Sequence, residues 1–202
     1  MDNIVIDLYP MGEESARTLE YNVYLQEGYI APNGCRRVLE NDNYPDFVHF
    51  VARRRGDTVG SLRLVNDHRP RHGVFRLESF SHFSLFAWVR ELLAGVDARH
   101  VFEVGTMVIQ KEFRGGPVYS LLFQKAFEFA VLRRVQYSLA AVDEGFFHRL
   151  RERGLPLRAI GEPRHYMGSN TVPAIIDVEE LERMLLGAGH AKSGTAGTRA
   201  QS

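Results

Sequence analysis

The chain has 202 residues, of which 45% are hydrophobic, and this is enough for the core of a single domain. The formal net charge is zero, so the overall charge gives no reason to expect nucleic-acid binding. The single cysteine, Cys35, excludes an intramolecular disulfide framework and is typical of a reducing compartment. We find no signal-peptide pattern near the N-terminus and no apolar run long enough to span a bilayer, so we expect a soluble cytoplasmic protein.

The N-terminal half of the chain alternates between strand-like and helix-like segments. Apolar residues at helical spacing indicate the helices, and short runs rich in β-branched and aromatic residues indicate the strands. The predicted elements are a strand at 3–8, a helix at 13–27, strands at 46–54 and 57–65 that form a hairpin at Arg55-Gly56, and a helix at 84–94.

The C-terminal half continues in the same way. It is predicted to contain strands at 100–110, 137–142, 157–161 and 171–178 and helices at 117–134, 144–154 and 179–186. Helices that interrupt a β-rich sequence predict a mixed α/β sheet covered on both faces. We expect one domain at 1–186, followed by a disordered tail at 187–202, where the residues are small and polar.

Glu103 is an acidic residue within the otherwise apolar strand "VFEVGTMVI". Strand alternation predicts that its side chain shares one face with those of Val101, Gly105, Met107 and Ile109. A buried carboxylate is costly unless it is paired or its pKa rises toward neutrality, and a raised pKa suits a general base that accepts a proton from an amine. The alternative is a structural ion pair, for example with Arg63 in the strand "GSLRLV".

Gly105 and the turn after this strand both indicate contacts with a ligand. A glycine inside a strand often marks a bulge, which would splay the sheet and leave backbone N–H groups free to bind a carbonyl oxygen. The turn Arg114-Gly115-Gly116 precedes the strongest predicted helix, whose N-terminal N–H groups and dipole favour a phosphate, and Arg114 would add a charged contact. The alternative is that the glycine pair only forms a tight turn.

The order of these parts, from strand and glycine kink through an "FRGG" turn to a long helix, resembles the second half of GNAT-type N-acyltransferases. A closer resemblance, over residues 14–182, is to the autoinducer synthases (acyl-homoserine-lactone synthases) and the related N-acyl amino acid synthases. The matching pieces are Arg17, Tyr21 and Tyr24 followed by "LQEGYI", the acidic run "ENDNYPDF" with Glu40, Asp42 and Asp46, the strands "GSLRLV" and "FEVGTMVI", and "IGEPRHYMGSNTVPAIIDV". The resemblance implies a GNAT-like acyltransferase domain with a mixed, mostly antiparallel central sheet, one splayed strand and helices on both faces.

Two departures from the family patterns bear on the donor and on the product. The GNAT turn usually reads R-x-x-G-x-G/A and grips the pyrophosphate of coenzyme A, whereas this chain has "RGGPVY", with Pro117 and Tyr119 in place of the later glycines. This favours a donor with one phosphate, the phosphopantetheine of acyl carrier protein. Autoinducer synthases typically carry an arginine where this chain has Thr106, so the resemblance favours the N-acyl amino acid synthase branch.

The resemblance also implies a role for each candidate site residue. Glu103 would accept the amine proton, and backbone N–H groups near Met107 and Val108 would hold the thioester oxygen. The donor would contact Met107, Val108, Ile109, Arg114, Gly115 and Gly116. The amino-acid acceptor would contact Arg17, Tyr21 and Arg63, since arginine can bind a carboxylate with two hydrogen bonds. The acidic carrier protein would dock on Lys111, Arg133, Arg134, Arg149, Arg151 and Arg153.

The fatty chain of such a donor needs a dry slot. The candidates are Phe80, Phe83, Leu85, Phe86, Trp88, Phe123, Phe127 and Phe129, although each of them could instead belong to the core. No metal and no tightly bound cofactor are implied. The expected reaction moves a fatty acyl group from acyl carrier protein to the α-amine of an amino acid. Three alternatives stay open, namely synthesis of an acyl-homoserine lactone, a coenzyme A-dependent acetyltransferase, and a binding module without turnover.

Overall fold

A computed structural model of the chain describes residues 3–10, 12–38, 47–65 and 82–193, with side chains described as far as Leu186. The acidic run with Glu40, Asp42 and Asp46 lies outside the described residues, and so does Phe80. The strands are β1 (Ile4–Pro10), β2 (Phe47–Arg54), β3 (Asp57–Val65), β4 (Val101–Ile109), β5 (Tyr137–Asp143), β6 (Leu157–Ala159), β7 (Arg164–Tyr166) and β8 (Ser169–Asp177). The helices are α1 (Glu14–Gln26), α2 (Ala87–Ala94), α3 (Val118–Leu132), α4 (Glu144–Glu152) and α5 (Val178–Ser193).

Apart from shifts of one or two residues at the ends of elements, three elements differ from the sequence prediction. Strand β7 was not predicted, because it is a short arm of the hairpin that leads into β8. Helix α2 begins at Ala87 rather than at 84, since Leu85 instead forms a bridge with Gly161. Helix α5 extends to Ser193, so it includes the first residues of the segment predicted to be a disordered tail.

Helix α3 is the longest of the helices whose side chains are all described, and its sequence explains both its ends and its packing. Pro117 has a φ of −74° and precedes the first turn, where proline favours a helix start. Its buried residues recur at every fourth position, which gives one apolar face against the sheet, and they are Val118, Leu122, Ala126 and Ala130. The helix ends at Arg133, and Arg134 has a positive φ of 55°.

The strands form one sheet in the order β1-β2-β3-β4-β5-β8-β6, with β7 also paired to β8. All the pairs are antiparallel except that of β4 with β5. Helices cover both faces, as predicted. Helices α1 and α2 pack on one face of the sheet, and α3, α4 and α5 pack on the other. None of the described helices is long and apolar enough to cross a bilayer.

The sheet splays in its middle, between β4 and β5. The two strands pair only where Val101–Val104 run beside Tyr137–Ala140, and beyond this point β4 pairs only with β3 and β5 only with β8. The cause is a bulge at Gly105, since Thr106 lies opposite Arg63 and Val104 lies opposite Leu64, so that Gly105 has no residue across from it. A bulge bends a strand and increases its twist, which turns β4 away from β5. The predicted bulge and the predicted splayed strand are both confirmed.

The bulge also changes which side chains of β4 share a face, and here the simple alternation predicted from the sequence is wrong. Val108 packs against Leu19 and Val23 of α1, whereas Met107 and Ile109 pack with the core cluster beneath α3. The extra residue at Gly105 shifts the alternation by one position. The side chains of Thr106 and Val108 therefore lie on the face that carries Val101 and Glu103, and those of Met107 and Ile109 lie on the opposite face.

Candidate active site

The gap between β4 and β5 opens into a cavity of about 780 Å³, a volume within the range of small-molecule sites. The cavity has two arms. A polar arm lies toward α1 and contains Glu103, Arg63 and Thr106. An apolar arm runs beneath α3, and the two arms meet at the splayed segment of β4.

Glu103 and Arg63 both line the polar arm, although each side chain is almost fully buried, with 3% and 4% of its surface exposed. The absence of a side chain at Gly105 leaves room for the guanidinium of Arg63, because a Cβ atom at Gly105 would lie only 3.0 Å from Nε of Arg63. The predicted base and a predicted acceptor-binding cation therefore share one compartment.

Thr106 connects this compartment to α1 through a contact that the sequence did not predict. Its hydroxyl donates a hydrogen bond of 2.6 Å to Oε1 of Glu20, and it accepts one of 3.4 Å from Arg63. Burial and the charge of Glu20 raise the pKa of Tyr24, which also lines the cavity. Glu20 lies four residues from Ala16 and from Tyr24, so its position on the inner stripe of α1 was the available sequence signal.

The other two predicted acceptor-binding residues are placed differently. Arg17 and Tyr21 are both described, and neither of them lines the cavity. The phenol oxygen of Tyr21 accepts a hydrogen bond of 3.2 Å from the backbone N–H of Asn33, and the guanidinium of Arg17 lies 5.5 Å from the centre of the Phe47 ring. Among these three residues, only Arg63 lines the cavity together with Glu103.

His49 lies opposite Arg63 on the neighbouring strand, outside the cavity. Burial, together with the positive charges of Arg63 and Arg17, lowers its pKa to about 4. Its Nδ1 accepts a hydrogen bond of 3.2 Å from the backbone N–H of Glu13, which requires that nitrogen to be unprotonated. His49 is therefore a neutral, structural residue beside the polar arm.

The exposed edge of β4 presents backbone N–H groups to the gap. The N–H of Gln110 donates to the carbonyl of Val59 at 3.0 Å, and antiparallel ladders alternate in direction, so the N–H of Val108 also points toward β3. The N–H groups of Met107 and Ile109 then point toward the gap. Of the two residues predicted to hold the thioester oxygen, Met107 is oriented for that contact and Val108 is not.

The turn after β4 forms the mouth of the cavity. The three residues of the turn predicted to bind the donor, Arg114, Gly115 and Gly116, all line this cavity. Gly115 has a φ of +76°, a conformation that favours glycine. Arg114 donates from Nε to the carbonyl of Ile109 at 3.1 Å, and its NH1 lies 2.7 Å from Oε1 of Glu27. The ring of Tyr119 stacks on that of Phe123 just inside the mouth.

The apolar arm is lined by two of the residues predicted to contact a fatty chain, Phe123 and Phe127. The remaining walls come from α3, α4, α5 and the strands beneath them, and include Ala126, Ala130, Leu150, Leu157, Ile176 and Leu181. Phe129 lies instead in the core, between the rings of Phe50 and Phe102.

Four slot candidates before β4 do not line the cavity, namely Phe83, Leu85, Phe86 and Trp88. For all of them except Trp88, the core alternative is the better description. Phe83 packs on the ring of Tyr166, and Leu85 and Phe86 join the cluster beneath α2. Trp88 is 41% exposed and lies beneath Arg158. These residues lie away from the apolar arm because α2 and the segment before it pack on the face of the sheet opposite to α3.

The predicted docking residues separate into two groups. Lys111 lies in the turn before Arg114, and Arg149 and Arg153 line the mouth of the cavity. Arg151 is exposed on the same helix, 5.7 Å from the centre of the Phe147 ring. Helix α3 has 15 residues, so Arg133 and Arg134 lie about 22 Å from the mouth, at the far end of that helix. The structure does not bring these two arginines to the predicted docking surface.

Residues 15–176 match the family model described as "N-acyl amino acid synthase FeeM", so the protein is an N-acyltransferase, and its fold is GNAT-like. The chain therefore belongs to the FeeM family of N-acyl amino acid synthases. A search of curated proteins finds no match.

Solved structures share the fold at low sequence identity. The acyl-homoserine lactone synthase BjaI, described as coenzyme A-dependent, is 17% identical with a TM-score of 0.71, and the match covers 99% of this chain and 94% of that chain. FeeM, from uncultured soil microbes, is 17% identical with a TM-score of 0.61, and the match covers 90% and 95%. A putative N-acetyltransferase from Lactobacillus plantarum is 15% identical with a TM-score of 0.57, and the match covers 86% and 99%.

Proposed function

We propose that the protein transfers a long-chain fatty acyl group from the phosphopantetheine arm of acyl carrier protein to the α-amine of an amino acid. The observation that carries this proposal is the junction at the bulge, where the buried Glu103 meets an apolar arm that begins at a basic mouth. A carboxylate, a fatty-chain slot and a phosphate-binding turn in one cavity fit an amine acceptor and an acyl-phosphopantetheine donor. Acyl carrier protein is cytoplasmic, so the proposal assigns the enzyme to that compartment.

In the proposed reaction, Glu103 accepts the proton that the incoming ammonium group must lose, directly or through a water molecule. The amine nitrogen then attacks the thioester carbonyl, and the N–H of Met107 stabilises the negative charge that develops on its oxygen. The carbon–sulfur bond breaks as the amide forms, and the leaving thiolate takes the second proton from the nitrogen. Arg63 is the cation in the polar arm for the carboxylate of the acceptor.

The length of the apolar arm supports a long acyl chain. Its wall on α3 runs from Tyr119 to Ala130, which is about 16 Å at the rise of an α-helix. The hydrocarbon core of a bilayer is about 30 Å thick and contains two layers of chains, so the arm matches one membrane-type fatty chain. Each buried methylene contributes about 0.8 kcal/mol, so the chain would supply much of the affinity for the donor.

The structure of the mouth favours a donor with a single phosphate over one with a pyrophosphate. Pro117 has no N–H to offer, and the ring of Tyr119 fills the space that a glycine would leave open. Lys111, Arg149 and Arg153 give this mouth the positive charge that an acidic carrier protein would meet. Coenzyme A is the alternative donor, because the similar fold of BjaI belongs to an enzyme described as coenzyme A-dependent.

To test this, the purified protein is incubated with fatty acyl donors, either acyl carrier protein or coenzyme A thioesters. The acceptors are a pool of all the amino acids and S-adenosylmethionine, and the products are identified by mass spectrometry. We expect an N-acyl amino acid, formed from the carrier-protein donor. A product from coenzyme A alone would overturn the donor assignment, a lactone would overturn the acceptor assignment, and no product from either donor would favour a binding module.

A further inference from the structure

Arg114, one of the cations at the mouth, already has an anionic partner in the protein. NH1 of Arg114 lies 2.7 Å from Oε1 of Glu27, and Nε of Arg114 donates to the carbonyl of Ile109. Both side chains line the cavity and are about one-third exposed, so water and ligands can reach the pair. A donor phosphate that binds Arg114 must therefore share the guanidinium with Glu27 or displace its carboxylate.

The position of Glu27 is unfavourable for an acid within its own helix. It is the C-cap residue of α1, where the helix dipole favours cations, and the last turn of α1 contains no basic residue. A second acid lies at the same mouth, since Asp143 also lines the cavity while it caps α4 through the N–H of Phe146. Burial and the negative charges of Asp143 and Glu27 raise the pKa of Tyr29, whereas the positive charge of Arg114 lowers it.

We propose that Glu27 determines donor selectivity, because its carboxylate disfavours head groups that carry more negative charge than one phosphodiester. This inference rests on the proposed function, in which the mouth binds the phosphate of the donor. A carrier-linked arm brings one negative charge to Arg114, and the exchange with Glu27 is then nearly balanced. Coenzyme A brings a pyrophosphate and a third phosphate. Each charge that comes within a Debye length of Glu27 and Asp143 is repelled by them, against the attraction of Arg149 and Arg153.

The experiment compares the wild-type protein with Glu27→Gln, which keeps the side-chain shape and removes the charge. The matched control is Glu14→Gln on the same helix, since Glu14 also forms an ion pair of 2.8 Å, with Arg37, but does not line the cavity. The probes are thioether analogues of pantetheine, the methyl ester of 4′-phosphopantetheine and coenzyme A, all with the same alkyl chain. The methyl ester keeps the phosphopantetheine probe a phosphodiester with one negative charge, as on the carrier protein. Calorimetry measures their affinities without turnover, so the readout does not depend on the acceptor.

For Glu27→Gln we expect about fivefold to tenfold tighter binding of the coenzyme A probe and about twofold to threefold tighter binding of the phosphopantetheine probe. The affinity for the neutral pantetheine probe should stay the same. The gains should shrink at high salt, and Glu14→Gln should bind all three probes like the wild type. Glu27→Ala repeats the test if Glu27→Gln melts at a lower temperature than the wild type.

Two results would overturn the inference in distinguishable ways. Equal changes for the three probes, or no change, would show that the charge of Glu27 does not select the donor, while the proposed phosphate site would stand. The second result is that neither phosphorylated probe binds better than pantetheine, in the wild type or in the variants. This would contradict both the proposed phosphate site and the inference about Glu27.

Discussion

The hydroxyl of Thr106 donates a hydrogen bond of 2.6 Å to the carboxylate of Glu20, across the junction between β4 and α1. Both residues are buried, and Thr106 directly follows the bulge at Gly105. Arg63 donates to the same hydroxyl from the adjacent strand. One side chain therefore connects α1, β3 and β4 at the point where the sheet begins to open, and the geometry of the polar arm depends on it.

Replacement of Thr106 by valine should destabilise the protein and weaken acceptor binding. The change keeps the shape but removes one donor from the buried carboxylate of Glu20, which costs about 1–3 kcal/mol of unfolding free energy. Arg63 also loses an acceptor, so the KM for the amino acid should rise more than the KM for the donor. Chemical denaturation and steady-state kinetics measure the two effects. Thr18→Val, at an exposed position of α1, is the control, and equal stability of the two variants would contradict the prediction.

Replacement of Glu103 by glutamine should lower kcat by ~10²-fold or more and leave the KM for the donor nearly unchanged. Glutamine keeps the shape of the side chain but cannot accept the amine proton. The deficit should become smaller as the pH rises toward the pKa of the acceptor amine, because the acceptor then arrives deprotonated. Glu112→Gln, exposed in the turn after β4, is the control. Unchanged turnover by Glu103→Gln would show that Glu103 is only a structural acid.

Replacement of Ala130 by leucine should shorten the acyl chains that the enzyme prefers. Ala130 lies on the wall of the apolar arm at the end farthest from the mouth, and a larger side chain there occupies the space of the terminal carbons. Each methylene kept out of the arm loses about 0.8 kcal/mol, so kcat/KM for the longest donor should fall about fourfold per methylene. Competition between donors of different length measures this. Ala94→Leu, at an exposed position of α2, should leave the preference unchanged, and an unchanged preference in Ala130→Leu would contradict the prediction.

Reversal of the charges at Arg149 and Arg153 to glutamate should raise the KM for a carrier-protein donor about tenfold at low salt, and less at high salt. The matched control is the same reversal at Arg133 and Arg134, which lie at the far end of α3 and should have no effect. An acyl-phosphopantetheine donor without the carrier protein distinguishes docking of the protein from direct contact with the arm. A larger effect at the control pair would place the docking surface at the other end of α3.

The buried His49 should make stability depend on pH in acid. Its pKa of about 4 in the folded protein lies below the ordinary value of 6.5, so the unfolded chain takes up the proton first as the pH falls. The stability contributed by the neutral ring is complete above pH 6.5 and is lost by pH 4, a total of about 3 kcal/mol. The difference in unfolding free energy between the wild type and His49→Asn should shrink by this amount between pH 7 and pH 4. A constant difference between pH 7 and pH 4 would contradict the prediction.

The fold could be predicted largely from the sequence because its signals are local. The helical spacing from Val118 to Ala130, the glycine in β4 and the Arg55-Gly56 turn each depend on neighbouring residues, and each identified its element correctly. The faces of β4 beyond the bulge could not be predicted, since one inserted residue reverses the alternation. Helix α5 was predicted too short because small, polar residues after Leu186 were interpreted as a tail.

The site was harder to predict because its residues meet through the tertiary fold. Glu103 and Arg63 could be identified because each is a charged residue within an otherwise apolar strand. This signal is local and does not depend on the conformation of the loops. Arg17 and Tyr21 lie on the same helix as Glu20, but a rotation of about 100° per residue decides which of them reaches β4, and propensity does not determine that rotation. Helix α2 and the segment before it carry aromatic residues as α3 does, and only the topology shows that the two helices cover opposite faces.

The short ladder between β4 and β5 has a mechanical consequence. In the part of the chain that the structure describes, the pairing of Val101–Val104 with Tyr137–Ala140 is the only strand pairing that joins β1–β4 to the rest of the sheet, and the pairs on either side are longer. The sheet is thus two stiff plates that meet along a narrow hinge, and the cavity occupies the angle between them. In the proposed function, a small rotation at this hinge would widen the angle for the acyl chain of the donor while the strands within each plate keep their register.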